Sequence, residues 1–522
     1  MVEAGTERGE DFDVVIVGAG LSGIDAACRL KMEAPGHSFC VLEARERIGG
    51  TWDLFRYPGV RSDSDMFTLG FPFRPWRGDQ SIVEGPAIRA YVEETARAYG
   101  VQPRFGHKVV RADWSSAEAR WTLEIEAGGA RRRMTARFLY LGSGYYRYES
   151  GYRPEWPGEA EFRGRIVHPQ LWPEDLDFAG TRVVVVGSGA TAVTLVPAMA
   201  ERAAHVTMLQ RSPSYVVARP ARDRLARWIG PRLTRLKNAF LGLVLFNLAR
   251  RRPEKVRAKL LDLARSALPE GFDVERHFGP RYKVWDQRLC LVPDGDLFAA
   301  IGGGKVSVVT DEIARFTPAG LLLKSGEAIE ADVVVTATGL AMQLFGGIAL
   351  SVDGAAVKPG DHYAYKGMML DGVPNLVLAF GYTNASWTLK CDLTARWFCR
   401  LLNRMRRTGE TVAVPRLPEP APARQPMLEF TSGYVQRAAG LLPSQGPEAP
   451  WRVHQNYARD LLALRFSRID DSTLALSGAG GSDDRVAEAV GAAAGLADKD
   501  HDEEDEGAPV TEAVEAAQHH QG

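Results

Sequence analysis

Cysteine is scarce in this chain: five among 522 residues, and no two stand at Cys-x-x-Cys spacing. An odd count without paired spacing excludes a disulfide framework and a dithiol redox centre, and it suits reduced thiols in a cytosolic setting. Cys28, Cys40 and Cys399 fall on apolar-patterned stretches, where a thiol acts as a small core filler. No apolar run reaches the ~18 to 20 residues needed to cross a bilayer. The opening residues MVEAGTERGEDFD are charged and hold no apolar signal core, which argues against secretion. A surplus of charge is missing too: the formal net charge is -1 at pH 7, so nothing draws the chain to nucleic acid. What is left is an ordinary globular composition, 45% hydrophobic and 25% charged, long enough for two or three domains with sizeable cores.

Glycine is where the pattern becomes specific. An apolar strand, Asp13 to Val17, runs into Gly18-Ala19-Gly20-Leu21-Ser22-Gly23 and a helix from Ile24 to Lys31. A second strand, Ser38 to Leu42, ends in Glu43. Strand, G-x-G-x-x-G turn, helix, strand and terminal acid in that order form the dinucleotide fingerprint. Glycines let the backbone approach a pyrophosphate, the helix start offers free N–H groups, and the acid takes a ribose hydroxyl pair. Ser22 inside the turn suits a phosphate donor or a helix cap. The pattern returns at Val183 to Val186, followed by Gly187-Ser188-Gly189-Ala190-Thr191-Ala192 and a helix to Glu201 that contains Pro197. There the next strand, Val206 to Gln210, ends in Arg211-Ser212 instead of an acid. A guanidinium clamps a 2′-phosphate where a carboxylate would repel it. The first turn therefore suits an unphosphorylated ribose, as in FAD, and the second suits NADP.

These units predict an α/β fold with two Rossmann-type domains, the NADP domain inserted into a discontinuous FAD domain. The expected boundaries are 1–150 for the first part of the FAD domain, 151–220 and 281–330 for the NADP domain, and 331–475 for the rest of the FAD domain. Within the first part, a helix is expected over Gly85 to Tyr99. Strands are expected at Val109 to Trp114, Trp121 to Ala127 and Met134 to Leu141, the last returning parallel to the first sheet. Val109, at the start of its strand, is placed where an adenine could lie against the backbone. The mixed Gly, Pro, aromatic and charged run from Gly49 to Asp63 reads as a loop, either covering the first nucleotide or lying on the surface. Strands Ala331 to Thr336 and Asn375 to Phe380 are expected to complete the first sheet. Residues 221–280 form a helical insert rich in Arg and Lys, with an apolar centre, Phe240 to Phe246. It suits an anionic membrane surface, a subunit interface, or burial on its own domain. From Gly478 the composition turns acidic, with Asp502 to Glu506 at its peak, and 476–522 is expected to be a disordered tail.

At the join between the two units lies Phe162, Gly164, His168, Trp172 and Pro173 in the order Phe-x-Gly-x-x-x-His-x-x-x-Trp-Pro. This segment resembles the signature of the class B flavin monooxygenases of the Baeyer–Villiger type, in which Trp172 is the feature separating them from N- and S-oxygenating relatives. Gly49, Gly50, Trp52, Tyr57, Pro58, Gly59 and Asp63 resemble a second signature. Residues 51–66, 168–177, 285–298 and 381–390 are similar to a bacterial branch of that family that oxidises thioamides. The resemblance implies that Gly18, Gly20, Ser22, Gly23, Glu43, Thr51, Trp52, Asp53, Leu54, Asp63 and Val109 contact FAD. It implies that Arg61, Ser62 and Asp63 reach NADPH together with Gly187, Ser188, Gly189, Ala190, Thr191, Ala192, Val193, Arg211 and Ser212. Arg288 resembles the catalytic arginine and Asp63 the carboxylate that orients it. Many family members carry Lys before that arginine; here it is Gln287.

The activity so implied uses NADPH and dioxygen to insert one oxygen next to a ketone carbonyl through a flavin peroxide, with thioamides and sulfides as further substrates. A permanent guanidinium such as Arg288 stabilises an oxyanion in a water-poor site. His168 and Trp172 read as hinge and scaffold. Two alternatives stand beside this reading: an S- or N-oxygenase, favoured by Gln287, and a flavin redox sensor or membrane-surface scaffold without turnover. The expected location is the cytoplasm, or its periphery at the inner face of the cell membrane. The expected partners are small molecules, with neither nucleic acid nor metal, and a homo-oligomer is left open.

Overall fold

The computed structural model describes residues 9–428 and 430–478; the expected acidic tail lies outside them apart from its first residues. Apolar runs that bury both faces form the central strands of two sheets. In the first, β1 (Glu10–Val17) leads through the turn to α1 (Leu21–Glu33) and β2 (Phe39–Leu42). Short helices α2 (Thr51–Leu54) and α3 (Met66–Leu69) and the longer α4 (Gly85–Ala98) follow. An antiparallel meander completes this stretch: β3 (His107–Ser115), β4 (Arg120–Ala127) and β5 (Ala130–Leu141). Trp114 and Trp121 face each other across β3 and β4, rings 5.7 Å apart, a cross-strand aromatic pair that pins the register. β5 then returns parallel to β1, Phe138 beside Val14 and Leu141 beside Val17.

The second sheet begins with β6 (Arg165–Val167), β7 (Arg182–Val186), α5 (Ala190–Ala200) and β8 (His205–Gln210). After β9 (Val216–Arg219) come helices α6 (Ala226–Arg251), α7 (Pro253–Ala267) and α8 (Val274–Phe278). The chain continues through β10 (Cys290–Pro293), α9 (Asp296–Gly302) and β11 (Val306–Thr310). A three-stranded meander follows, β12 (Ile313–Thr317), β13 (Gly320–Leu323) and β14 (Ala328–Glu330), and then β15 (Val333–Thr336). The sheet order is β11-β8-β7-β15-β6, every pairing parallel.

β16 (Ala349–Val352) and β17 (Ala355–Ala356) bring the chain back to the first sheet, β16 beside β3. A short hairpin, β18 (Ala364–Tyr365) and β19 (Met369–Leu370), precedes β20 (Leu376–Leu378) and α10 (Trp387–Thr408). β20 lies along the C-terminal half of β5, whose N-terminal half is taken by β4.

Three expectations need correction. The strand ending at Thr336 does not join the first sheet. It lies between β7 and β6 in the second, Val333 paired with both Val183 and Arg165. A run buried on both faces shows that a strand is central but carries no mark of which sheet owns it. The stretch Gly49 to Asp63 is not loop throughout, because Thr51–Leu54 closes one helical turn. Val109 does not begin its strand but is the third residue of β3.

Candidate functional site

Both glycine turns fold as nucleotide turns for local steric reasons. Gly18 takes φ +100°, and a side chain there would meet the Gly142 carbonyl at 2.7 Å. At Gly23 a Cβ would sit 1.8 Å from the Gly18 carbonyl oxygen, so only glycine lets α1 seat against the turn. Gly187 repeats this arrangement at φ +141°, 2.3 Å from the Ala337 carbonyl, whereas a Cβ at Gly189 would meet nothing within 4 Å. The helices after the turns have Gly20 and Gly189 in the N-cap position, so neither N-terminus has a side-chain cap. Two helix starts with bare N–H groups and bare glycine backbone fit anionic pyrophosphates.

A cavity of about 340 Å³ spans the space between them. From the first unit it is lined by Gly18, Gly20, Ser22, Glu43, Thr51, Trp52 and Val109, from the connecting loop by Arg61, Ser62 and Asp63, and from the second unit by Ala190, Thr191 and Arg288. Glu43 is tied into the turn: its Oε2 accepts the Ala19 N–H at 2.7 Å and its Oε1 the Arg45 N–H at 2.9 Å. Burial nonetheless pushes its carboxyl above the ordinary value. The loop leans on α5, with a Cβ at Gly59 (φ +73°) falling 2.7 Å from Ala198 Cβ. One segment thus touches both units.

Within the cavity wall Arg288 meets Asp63 as a fork. Nε lies 2.7 Å from Oδ2 and Nη2 donates to Oδ1 at 3.0 Å. Burial works against this guanidinium's charge, but the Asp63 carboxylate and the phenols of Tyr145, Tyr146 and Tyr434 outweigh it and raise its pKa. Burial also keeps Tyr145 and Tyr146 protonated, their hydroxyls 2.5 Å apart. Tyr145 stacks on Trp387 with ring centres 4.9 Å apart and packs against Phe380. Arg61 is occupied as well, Nη1 being 2.5 Å from Asp296 Oδ2.

Apart from Ser22, the other singled-out residues described next lie outside the cavity lining. Asp53 is buried and pairs with Arg45 at 2.6 Å, and Leu54 is buried in α2. Gly23, Ala192 and Val193 pack inside their own units. Arg211 and Ser212 stand exposed at the end of β8. Ser188 Oγ donates to the Ser212 carbonyl at 2.8 Å, which joins that rim to the second turn. Ser22 caps neither helix nor turn; its hydroxyl accepts from Trp387 Nε1 at 2.9 Å and lies 3.4 Å from Cys391 Sγ. His168 has both ring nitrogens in use: Nε2 bonds the Gly339 carbonyl at 3.2 Å and Nδ1 accepts from the Gln170 N–H at 3.2 Å. Burial lowers its pKa, so it holds the junction as a neutral ring. Trp172 packs edge-on against Phe178.

Sequence reasoning missed Tyr145, Tyr146 and Tyr434, whose phenols act on Arg288, and Trp387, which stacks on Tyr145. It also missed Arg437, whose guanidinium lies 3.4 Å over the Tyr152 ring and feels the charge of Arg211. The one signal available was the pairing Tyr145-Tyr146 directly after the Gly142-Ser143-Gly144 strand end, where the first sheet opens towards a ligand.

Comparison with known proteins agrees with this geometry. Residues 16–77 match the model of an NAD(P)-binding Rossmann-like domain, and residues 106–408 match the flavin-binding monooxygenase-like model. The chain is 52% identical over 476 residues to the FAD-containing monooxygenase EthA of Mycobacterium tuberculosis, covering 89% of this chain and 97% of that one. It is 44% identical to a probable FAD-binding monooxygenase, AlmA, of Acinetobacter baylyi, over 89% of this chain and 95% of that one. Among solved structures, an oxidized steroid monooxygenase bound to NADP shares the fold with TM-score 0.72 at 21% identity, covering 90% of this chain and all of that one.

Proposed function

The chain belongs to the flavin-binding monooxygenase-like family, and from that premise we propose that it is an FAD-, NADPH- and O2-dependent Baeyer–Villiger monooxygenase. It converts a ketone to an ester or lactone and also oxidises thioamides and sulfides, the second oxygen atom leaving as water while NADPH becomes NADP+. Bare helix starts and open glycine backbone at both turns fit the two nucleotides. FAD is held by Gly18, Gly20, Glu43, Thr51, Trp52 and Val109, and NADPH by the Gly187 to Val193 turn with Arg211 and Ser212. When bound, these cofactors supply hydride transfer and oxygen activation.

The protein's own share is electrostatic and steric. Arg288 fixes a positive charge over the cavity, where a substrate oxygen that gains negative charge is stabilised by several kcal/mol in comparable sites. Asp63 sets the plane of that guanidinium through the two-bond fork. Tyr145, Tyr146 and Trp387 form an aromatic wall in the cavity that Arg288 also lines. The five buried, unpaired cysteines accord with a cytoplasmic enzyme.

The observation that carries the reading is the Asp63–Arg288 fork in the wall of a cavity that both glycine turns share. Arg288→Ala is expected to leave reduction of the flavin by NADPH intact and to abolish ester formation; ester still formed by that variant would overturn the assignment. Gln287, beside Arg288, favours a second reading as an S- or N-oxygenase. Mass analysis of the products from one ketone and one thioether separates the two.

A further inference from the structure

A surface helix normally turns its apolar side to the body and its polar side to water, and α6 does the reverse. Around Arg235 and Asn238 its inward face is polar. Arg235 Nη1 donates to the carbonyls of Phe67, Thr68 and Gly70 at 3.0, 2.9 and 2.6 Å, and Asn238 Nδ2 donates to Asp65 at 3.0 Å. Its outward face is apolar: Leu236, Phe240, Val244 and Leu248 stand four residues apart in one row, 64%, 65%, 43% and 42% exposed. Leu241 and Leu245 form the neighbouring row. Seven of the sixteen large hydrophobic side chains exposed in the described chain fall between Leu233 and Leu248, on the stretch of α6 after its break at Gly230, so this is one patch and not scatter. Exposed Arg232 begins the main row and exposed Arg252 ends it. Residues 222–259 carry twelve Arg and Lys against two acidic side chains, in a chain whose net charge is -1.

We propose that α6 docks on an anionic lipid surface, its Leu/Phe ridge in the boundary between headgroups and acyl chains and the exposed Arg232 and Arg252 on the phosphates. No helix among the described residues is long and apolar enough to cross a membrane, so the contact is peripheral. A second copy of the chain is disfavoured as the occupant, because two-fold pairing through this ridge sets two strongly cationic faces together. The acidic run Asp502 to Glu506 offers charge but no apolar side chain for the ridge. The docking helix also backs the reaction site. Its polar face grips the segment that follows Asp63 and Ser64, and Phe246 packs against Trp285, three residues before Arg288, with ring centres 5.6 Å apart.

The test is sedimentation of the full-length, FAD-loaded protein with vesicles of phosphatidylcholine alone or with roughly one-third phosphatidylglycerol. The protein is expected to sediment with the anionic vesicles only, and to be released at about 1 M salt, where the screening length is ~3 Å. The double variant Phe240→Ser, Leu245→Gln should partition at least about tenfold more weakly, with flavin absorbance and NADPH oxidation unchanged. Arg232→Glu should weaken binding by about fivefold or more. Failure to bind anionic vesicles, or equal binding to neutral ones, overturns the proposal. So does a concentration-dependent dimer that the ridge variant abolishes without any vesicle binding, which would assign the face to a second copy. None of these readouts depends on the oxygenation product, so the two proposals fail separately.

Discussion

Replacing Asp63 by Asn keeps the shape of the side chain and removes the charge that orients Arg288. Asp63 accepts from Nη2 at 3.0 Å and from Nε at 2.7 Å. The amide keeps one acceptor and sets an NH2 group against the other guanidinium donor, so one charge-assisted bond is lost and a donor faces a donor. A hydrogen bond to a charged group contributes about 1.5–3 kcal/mol. The two side chains are 36% and 29% exposed, so solvent screening favours the lower part of that range, about 1.5–2 kcal/mol. If that fixation is expressed where substrate oxygen gains charge, the oxygenation rate falls roughly 10- to 30-fold. Anaerobic stopped-flow bleaching of the flavin at saturating NADPH should be unchanged, since the charge that the fork orients acts on the substrate oxygen. Gas chromatography of the ester should show the whole loss. Arg288→Lys keeps the charge but not the fork and should fall by a similar factor. An Asp63→Asn variant that makes ester at the parent rate, or that slows flavin reduction and ester formation equally, would refute the positioning argument.

Gly187→Ala and Gly189→Ala should part company. The first forces φ +141° and a 2.3 Å clash with Ala337 and should lower the melting temperature, whereas the second meets nothing and should fold normally while weakening NADPH binding, read by titration of the reduced nucleotide's fluorescence. His37, His168, His277 and His454 are each held below their ordinary pKa, mainly by burial. The unfolded chain therefore binds more protons below about pH 6.5, and thermal stability should be complete above that pH and fall as pH drops through it. The Asp25 carboxyl is raised well above its ordinary value by burial and by the Asp392 carboxylate, so its contribution to stability is full only at low pH and is lost as pH rises. Asp25→Asn should gain stability relative to the parent in thermal melts at pH 8 compared with pH 5, and an equal difference at both would reject this.

The two nucleotide units were legible because their information is local. A turn that only glycine can make, between a strand and a helix, is written within ten residues, and the exchange of Glu43 for Arg211 at the next strand end lies 25 residues after Gly18 in the first unit and 24 after Gly187 in the second. Sheet membership of Val333–Thr336 was not legible, since pairing with Val183 and Arg165 is a long-range choice that an apolar run does not encode. Neither was the fate of Ser22, whose hydroxyl meets Trp387 and Cys391 more than 360 residues away. The aromatic wall around Arg288 comes from three distant segments, each of which alone reads as ordinary core. α6 showed its apolar centre and its basic flanks in sequence, but not which face looks outward. That depended on Arg235 and Asn238 finding carbonyl and carboxylate partners on α3 and Asp65.

The segment from Arg61 to Asp63 brings these scales together. Arg61 and Asp63 both reach across to the second unit, while Ser62 between them is buried and donates its hydroxyl to the Ser64 carbonyl at 2.8 Å. Arg61 pairs with Asp296 and Asp63 with Arg288, and those two partners flank β10 at either end. Two ion pairs of opposite polarity therefore staple a loop of the first unit across a strand of the second. Opposite polarity also fixes the direction of the staple, because reversing it would set Arg61 against Arg288 and Asp63 against Asp296. Arg288 is thus presented to the cavity not by its own short loop but by a clasp whose other half lies 225 residues earlier in the chain. A substitution at Asp296 should loosen the orientation of Arg288 without touching it.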